Sequence, residues 1–182
     1  MGVTREKDPS PVDGLVTNVP GLCLMIFFAD CVPLFFVDPV NRAIGLAHSG
    51  WRGTVKRIGR ETIRTMEREF GTRAEDLICA IGPSICVTCY EVSKDVADKF
   101  EEEFPGREGI VTTGRILPET GEQKYQLNLW LANKVIMEEA GVKPENIDVT
   151  DICTCCNPHL LFSHRRHGDK RGNNGGFLMI RP

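Results

Sequence analysis

A cysteine and a histidine each stand beside a predicted buried strand. Cys31 follows the apolar run at 22–28, and His48 closes the run at 43–48. Since α/β sheets place their sites at strand ends, we expect the two side chains to lie close together. A thiolate and an imidazole are good zinc ligands, and they can also form a nucleophile–base pair. The third interpretation is a buried thiol and a merely hydrogen-bonded histidine, because this Cys–His spacing is no known signature.

The turn at 50–53 has the composition of an anion-binding segment. Its two glycines allow close backbone approach, and a helix predicted to start at Thr54 would present free N–H groups. Arg52 adds a planar, bidentate donor. The sequence therefore predicts that Arg52 holds a phosphate or carboxylate, the alternative being a tight turn with a surface arginine. Arg165, in a basic stretch at 164–167, is the second candidate for this role.

Most of the remaining cysteines fall in two short groups. Cys86 and Cys89 form one, and Cys153, Cys155 and Cys156 form the other. A structural zinc site would need both groups, which are far apart and irregularly spaced. We therefore favour the interpretation that they are buried thiols near a pocket.

The elements that must position these residues are short and unevenly interleaved. Buried strands are predicted at 22–28 (buried on both faces), 34–37, 43–48 and 77–81, with later strands at 147–152, 160–163 and 177–180; helices are predicted from Thr54 to Gly71, from Ser93 and from Asn128 to Gly141, with a loop or hairpin at 105–121. This order favours an α+β domain of layered mixed β-sheets with flanking helices, the alternative being a three-layer α/β domain.

Composition excludes several classes of protein. The 182 residues suit one domain, and a net charge of −3 provides no positive field for nucleic acid or anionic lipid. The longest apolar stretch has 8 residues, whereas a membrane span needs about 20. The first residues are charged and form no signal peptide, so we expect a cytoplasmic protein whose eight cysteines form no disulfides.

Taken together, several motifs resemble one family. They are Asp13-Gly14-Leu15-Val16-Thr17, Ala29-Asp30-Cys31-Val32-Pro33, Ala47-His48-Ser49-Gly50-Trp51-Arg52-Gly53, Ile81-Gly82-Pro83-Ser84-Ile85, Cys89-Tyr90-Glu91-Val92, Phe162-Ser163-His164-Arg165 and Lys170-Arg171-Gly172-Asn173. The sequence resembles the bacterial laccase-domain, or multicopper polyphenol oxidase, family from about residue 13 to its C-terminus. Some members are regarded as purine nucleoside phosphorylases, and others as a peptidoglycan editing factor.

The resemblance implies a cysteine-hydrolase-like fold and one zinc or copper ion held by a cysteine and two histidines. Cys31 and His48 match two of these ligands, while the third is a histidine in a motif upstream of Asp13. This sequence has no histidine before His48. We therefore expect residues 1–182 to form a single family domain that lacks its N-terminal portion. Alternatively, His164 completes the site.

Three activities follow from the resemblance and the residues. The first is a metal-dependent purine nucleoside phosphorylase, with adenosine deamination as a related activity and Arg52 and Arg165 as candidates for holding phosphate. The second is a copper-dependent phenol oxidase, although four histidines are too few for a four-copper enzyme. The third is a metal-free hydrolase of peptidoglycan precursors with Cys31 as nucleophile and His48 as base. We expect small-molecule substrates and allow association into homo-oligomers.

Overall fold

The computed structural model describes residues 12–182, which form three β-sheets, five α-helices and three short 3₁₀-helices. In chain order the elements are β1 (Gly14–Thr17), β2 (Cys23–Phe28), β3 (Val32–Asp38), β4 (Ala43–Ser49), α1 (Trp51–Val55), α2 (Ile58–Phe70), β5 (Ile78–Ile81), β6 (Glu91–Val92), α3 (Lys94–Glu103), β7 (Val111–Ile116), β8 (Gln123–Leu127), α4 (Leu129–Glu139), β9 (Ile147–Val149), α5 (His164–His167) and β10 (Asn174–Met179).

The largest sheet has five strands in the order β1-β4-β3-β5-β9. Neighbouring strands are antiparallel except β5 and β9, which are parallel. A second sheet, β6-β8-β7, and the two-stranded ribbon of β2 and β10 complete the architecture. This mixed arrangement with flanking helices confirms the α+β prediction.

The main core fills the space between the five-stranded sheet and the helices. Leu34 and Phe36 of β3 are fully buried, as are Ile63 and Met66 of α2 and Ile136 of α4. The buried residues of α2 recur three apart, which places them on one face of the helix. This packing holds β3 and β4, which lie inside the sheet, against the helices.

The prediction that the strand at 22–28 is buried on both faces is wrong. Buried and exposed residues alternate along β2, since its one partner is β10 and only one of its faces covers the core. The other face presents Met25 and Phe27 beside Phe177 and Met179 of β10, each about half exposed. The run at 22–28 is therefore apolar throughout because the exposed outer face of β2 also carries apolar side chains.

Two further elements differ from the sequence predictions. The helix expected from Thr54 begins at Trp51 and is interrupted at Arg57, whose φ of 57° is left-handed. The Arg57 guanidinium forms ion pairs with Glu103 and Glu139, and these contacts from α3 and α4 hold the break. No strand forms at 160–163; instead, the Ser163 side chain accepts a hydrogen bond from the Arg166 N–H and begins α5.

The helices predicted after Ser93 and Asn128 are confirmed. The Asn128 side chain accepts a hydrogen bond from the Leu131 N–H, as a residue at a helix start does. None of the helices within residues 12–182 is long and apolar enough to cross a membrane.

A buried polar network joins the end of β4 to α1 and α4. The Ser49 hydroxyl donates to the Asn133 side-chain oxygen over 2.8 Å, and the Asn133 amide donates to the Thr54 hydroxyl and the Leu129 carbonyl over 3.3 and 2.9 Å. Ser49, Thr54 and Asn133 are all fully buried. Because unpaired buried polar groups are costly, this network fixes the backbone between His48 and the start of α1.

Replacing Asn133 with leucine keeps the side-chain size but removes both hydrogen-bonding ends. Ser49 and Thr54 then lose a partner inside the core, so we expect Asn133→Leu to lower the free energy of unfolding by about 1–3 kcal/mol. Urea denaturation followed by circular dichroism measures the change. The matched control is Lys134→Ala on the same helix, which we expect to change stability by less than about 0.5 kcal/mol. Equal effects of the two substitutions would contradict a role for the network.

Candidate functional site

Cys31 and His48 reach the same space at the edge of the central sheet. Pro33 is paired with His48 and Val32 with Ser49, which puts Cys31 next to the end of the β3–β4 ladder. A Cβ atom placed on Gly50 would lie 3.0 Å from the Cys31 Sγ and 4.0 Å from the His48 Cε1. A side chain at position 50 would therefore fill the space between the thiol and the imidazole, which glycine leaves open.

His48 is fixed by the residue that precedes β1. Its backbone N–H donates to the Asp13 carbonyl over 2.7 Å, and its Nδ1 lies 3.3 Å from the Asp13 Oδ1. The pairing of β1 with β4 brings the two residues together, since Gly14 lies opposite Ala47. A carboxylate beside one ring nitrogen orients an imidazole and favours the tautomer in which the other nitrogen can accept a metal or a proton.

The turn before Cys31 is held by a buried aspartate. Asp30 has a left-handed backbone, with φ of 81°. Its carboxylate accepts hydrogen bonds from the Thr154 hydroxyl and the Arg165 N–H, both over 2.6 Å. Its carbonyl accepts a third from the Ile85 N–H over 3.0 Å. Three segments distant in sequence therefore determine where Cys31 lies.

The surroundings of Cys31 favour its protonated form. Burial raises the pKa of the thiol, and the Asp30 carboxylate raises it further, whereas Arg171 has a smaller opposite effect. A thiol with a raised pKa is a poor nucleophile at neutral pH unless a cation stabilises its thiolate. Both a nucleophile and a metal ligand react as the thiolate, so either role requires that Cys31 lose this proton.

The donor chemistry of Cys31 and His48 fits a zinc or copper ion. Both metals take thiolate and imidazole ligands, and the open space beside Gly50 adjoins both side chains. Within residues 12–182, no third cysteine, histidine or acidic residue completes a set whose ligand atoms all lie within 4.8 Å of one another. His164 does not complete such a set with the pair in the described part of the chain, and its Nδ1 lies 4.0 Å from the Asp169 carboxylate.

An open hollow lined by aromatic and cationic side chains begins at the residue after Gly50. Its volume is about 510 Å³, and its lining includes Trp51, Tyr90, Lys124 and Arg165, together with Glu91, which is paired with Arg115. Burial raises the pKa of Tyr90 to about 12. The phenol therefore remains a hydrogen-bond donor at neutral pH.

The two arginines singled out by the sequence both lie against these aromatic rings. The Arg52 guanidinium is 4.2 Å from the centre of the Trp51 ring, and that of Arg165 is 5.5 Å from the Tyr90 ring. Arg165 also donates to the carbonyls of Cys89 and Glu91 over 2.9 and 2.8 Å. Each terminal nitrogen of Arg165 carries two hydrogens, so these bonds leave donors free to reach a ligand.

One part of the anion-site prediction is wrong. The Thr54 N–H is not free, because it donates to the Gly50 carbonyl over 2.8 Å inside α1. Sequence reasoning also gave no role to Asp13, Asp30 or Tyr90. All three belong to the motifs that carry the family resemblance, but their partners are brought near only by the fold.

The chain belongs to the family described as multi-copper polyphenol oxidoreductase laccase, whose model matches residues 1–181. Among curated proteins it is 40% identical to purine nucleoside phosphorylase YlmD of Bacillus subtilis, over 93% of this chain and 59% of that protein. It is 33% identical to purine nucleoside phosphorylase LACC1 of Mus musculus, over 98% of this chain and 40% of that protein.

A third curated relative, adenosine deaminase RL5 from an unknown prokaryotic organism, is 36% identical over 92% of this chain and 62% of its own length. The crystal structure of YlmD from Geobacillus stearothermophilus superimposes with a TM-score of 0.85 at 35% identity, over 94% of this chain and 62% of that one. The chain thus spans about 40–60% of the length of the curated relatives it matches.

The Asp30 carboxylate provides a test of how the site is held. Asparagine tolerates a left-handed backbone, so Asp30→Asn isolates the hydrogen bonds from backbone strain. The amide keeps one acceptor oxygen and places an NH₂ group against a donor, and we expect a loss of about 1–3 kcal/mol in unfolding free energy. Urea denaturation measures it, with Asp148→Asn on exposed β9 as the matched control. No difference between the two variants would contradict this account of Asp30.

Proposed function

We propose that this chain carries out, or contributes to, phosphorolysis of purine nucleosides, with adenosine deamination as a related activity. The observation that carries the proposal is the hollow of aromatic and cationic side chains whose lining begins at Trp51, directly after the Gly50 that borders Cys31 and His48. The names of relatives that are 33–40% identical over nearly the whole chain agree with it.

The hollow suits both substrates of that reaction. A purine is a flat aromatic ring that stacks on aromatic side chains, and Trp51 and Tyr90 supply such rings. Inorganic phosphate needs cationic donors, which Arg52, Lys124 and Arg165 supply around those rings. In the proposed complex, the phosphate would lie next to the sugar of the stacked nucleoside.

In phosphorolysis a phosphate oxygen bonds to C1′ of the ribose while the bond between C1′ and the purine nitrogen breaks. The base leaves with a proton, and ribose 1-phosphate remains. The arginines hold the phosphate against C1′, which converts a bimolecular encounter into a positioned reaction. The Tyr90 hydroxyl, protonated at neutral pH, donates a hydrogen bond within the hollow.

Cys31 and His48 would hold the metal ion, with Asp13 orienting the imidazole. A zinc or copper ion bound there supplies Lewis-acid polarisation of the substrate. The family resemblance implies a third ligand, a histidine upstream of Asp13, which this sequence does not contain. Residues 1–182 would thus supply Cys31 and His48 to the metal site, and the third ligand implied by the resemblance is not among them. The choice between zinc and copper, the cysteine-hydrolase-like layering, a cytoplasmic location and homo-oligomer formation stay predictions.

The activity test compares inosine turnover with and without phosphate. We expect hypoxanthine and ribose 1-phosphate to form only when phosphate is present, and Cys31→Ala to lower turnover by about 100-fold or more, as loss of a group that stabilises the transition state does. The matched control is Cys23→Ala, an exposed cysteine of β2.

Each alternative gives its own result in that experiment. Base release without phosphate would overturn phosphorolysis, and ammonia from adenosine would report deamination. Copper-dependent oxidation of a phenol, with no nucleoside turnover, would favour the oxidase. Retained activity in the Cys31→Ala variant would remove Cys31 from the site.

Arg52 provides a second, finer test. Lysine keeps the positive charge but loses the planar fork that stacks on Trp51, so we expect Arg52→Lys to raise the KM for phosphate by about tenfold. The KM for inosine should change less. Arg64→Lys on the exposed side of α2 is the matched control. An unchanged KM for phosphate would show that Arg52 does not bind it.

A further inference from the structure

Four cysteines outside the site described above converge in the fold. The ligand atoms of Cys86, Cys89, Cys153 and Cys156 all lie within 4.8 Å of one another, although the sequence suggested separate buried thiols. Of the four, only Cys153 is fully buried, and Cys156 is exposed. The spacing becomes regular once Cys155 is set aside, since each pair is then Cys-x-x-Cys.

The parallel pairing of β5 and β9 brings the two Cys-x-x-Cys segments together. Ile81 lies opposite Val149 at the end of this pair. Beyond it the two chains continue side by side, because the Ser84 N–H donates to the Ile152 carbonyl and the Thr154 N–H donates to the Ser84 carbonyl, both over 3.1 Å. The two Cys-x-x-Cys segments therefore turn at the same distance beyond the end of the β5–β9 pair.

The spacing of the sulfur atoms matches a tetrahedral metal site. Zn–S bonds of about 2.3 Å place tetrahedral sulfurs about 3.8 Å apart. The Cys156 Sγ lies 3.4 Å from that of Cys89 and 4.0 Å from that of Cys86. All other sulfur–sulfur distances in the set are within 4.8 Å, so small side-chain rotations suffice to close the site.

Backbone N–H groups already point at the most buried sulfur. The Cys153 Sγ accepts hydrogen bonds from the N–H groups of Cys86 and Cys156, over 3.3 and 3.4 Å. Hydrogen-bond donors around a metal ligand hold it in a fixed orientation.

The surroundings suit a closed site with a net negative charge. Ile85, Tyr90 and Trp130 pack against the cluster and limit its access to water. The Arg165 guanidinium donates to the Cys89 carbonyl over 2.9 Å, which brings a positive charge to the backbone of one member of the cluster. A zinc ion with four thiolates carries a charge of −2, and a neighbouring arginine offsets part of it.

We propose that Cys86, Cys89, Cys153 and Cys156 bind a structural zinc ion, separate from the Cys31–His48 site. Four sulfur ligands complete the coordination of zinc and leave no open position, so the ion stabilises structure and takes no part in the reaction. It would join the segment after β5 to the segment after β9. These segments also carry Thr154, which holds Asp30, and the carbonyl that holds Arg165.

The test uses the full chain carrying Cys31→Ala, so that the first site cannot contribute and the result does not depend on the proposed activity. After expression with zinc, reduction with a thiol-free reductant and desalting, elemental analysis should find about one zinc per chain. Cys156→Ser and Cys86→Ser in this background should each lower it to near zero. Cys23→Ser, at an exposed cysteine of β2, is the matched control and should retain the zinc.

Two further measurements keep the proposal testable if a serine variant fails to fold. Replacement of zinc by cobalt should give the intense visible absorption of a tetrahedral thiolate complex. Cys156→His retains a zinc ligand at an exposed position, so it should keep the metal and change the cobalt spectrum. Zinc absent from the reduced Cys31→Ala chain, zinc unaffected by Cys156→Ser, or iron in place of zinc would each overturn the proposal.

Discussion

The buried carboxylate of Asp30 is the contact on which the rest of the site depends. Its oxygens bind the Thr154 hydroxyl and the Arg165 N–H, two groups brought in from the C-terminal third of the chain. A carboxylate is costly to bury unless strong donors hydrogen-bond to it. Loss of either donor would leave one oxygen of the buried carboxylate without a partner, and this cost holds both donors in place. These contacts fix the turn immediately before Cys31. They also position Arg165, whose guanidinium lies over the Tyr90 ring.

The ends of β3 and β4 that carry the site meet beside Gly50. Antiparallel pairing places Cys31 and His48 at one edge of the sheet, while the β1–β4 pairing brings Asp13 to the imidazole. Gly50 leaves the space between thiol and imidazole free, and any other residue there would press its Cβ on the Cys31 sulfur at 3.0 Å. The network of Ser49, Thr54 and Asn133 holds the same backbone from the core side. The backbone that carries the candidate site is thus the same backbone that the buried polar network holds in place.

Local patterns predicted the helices that start at Ser93 and Asn128, because an apolar face at helical spacing needs no distant partner; the Asn128 side chain caps its helix, whereas that of Ser93 makes no capping hydrogen bond. They failed for β2, since an apolar run does not reveal whether a second layer covers it, and for the helix break at Arg57, which depends on glutamates from two other helices. The positions of Cys31 and His48 at strand ends followed from the buried runs. The convergence of Cys86 and Cys153 did not, because it depends on the β5–β9 register, which is set between segments far apart in the sequence.

The two cysteine-containing sites differ in how many coordination positions they would leave open on a bound metal ion. At Cys31 and His48 two protein donors border an unfilled space beside Gly50, so an ion there would retain positions for other ligands. At the four-cysteine cluster the sulfurs alone would complete a tetrahedron around the proposed zinc, and Tyr90 and Trp130 pack against it. Tyr90 belongs to both surroundings, since it packs against the cluster and also lines the hollow. A rigid metal-bound cluster would therefore fix the wall of the hollow on which, in the proposed function, a nucleoside would stack.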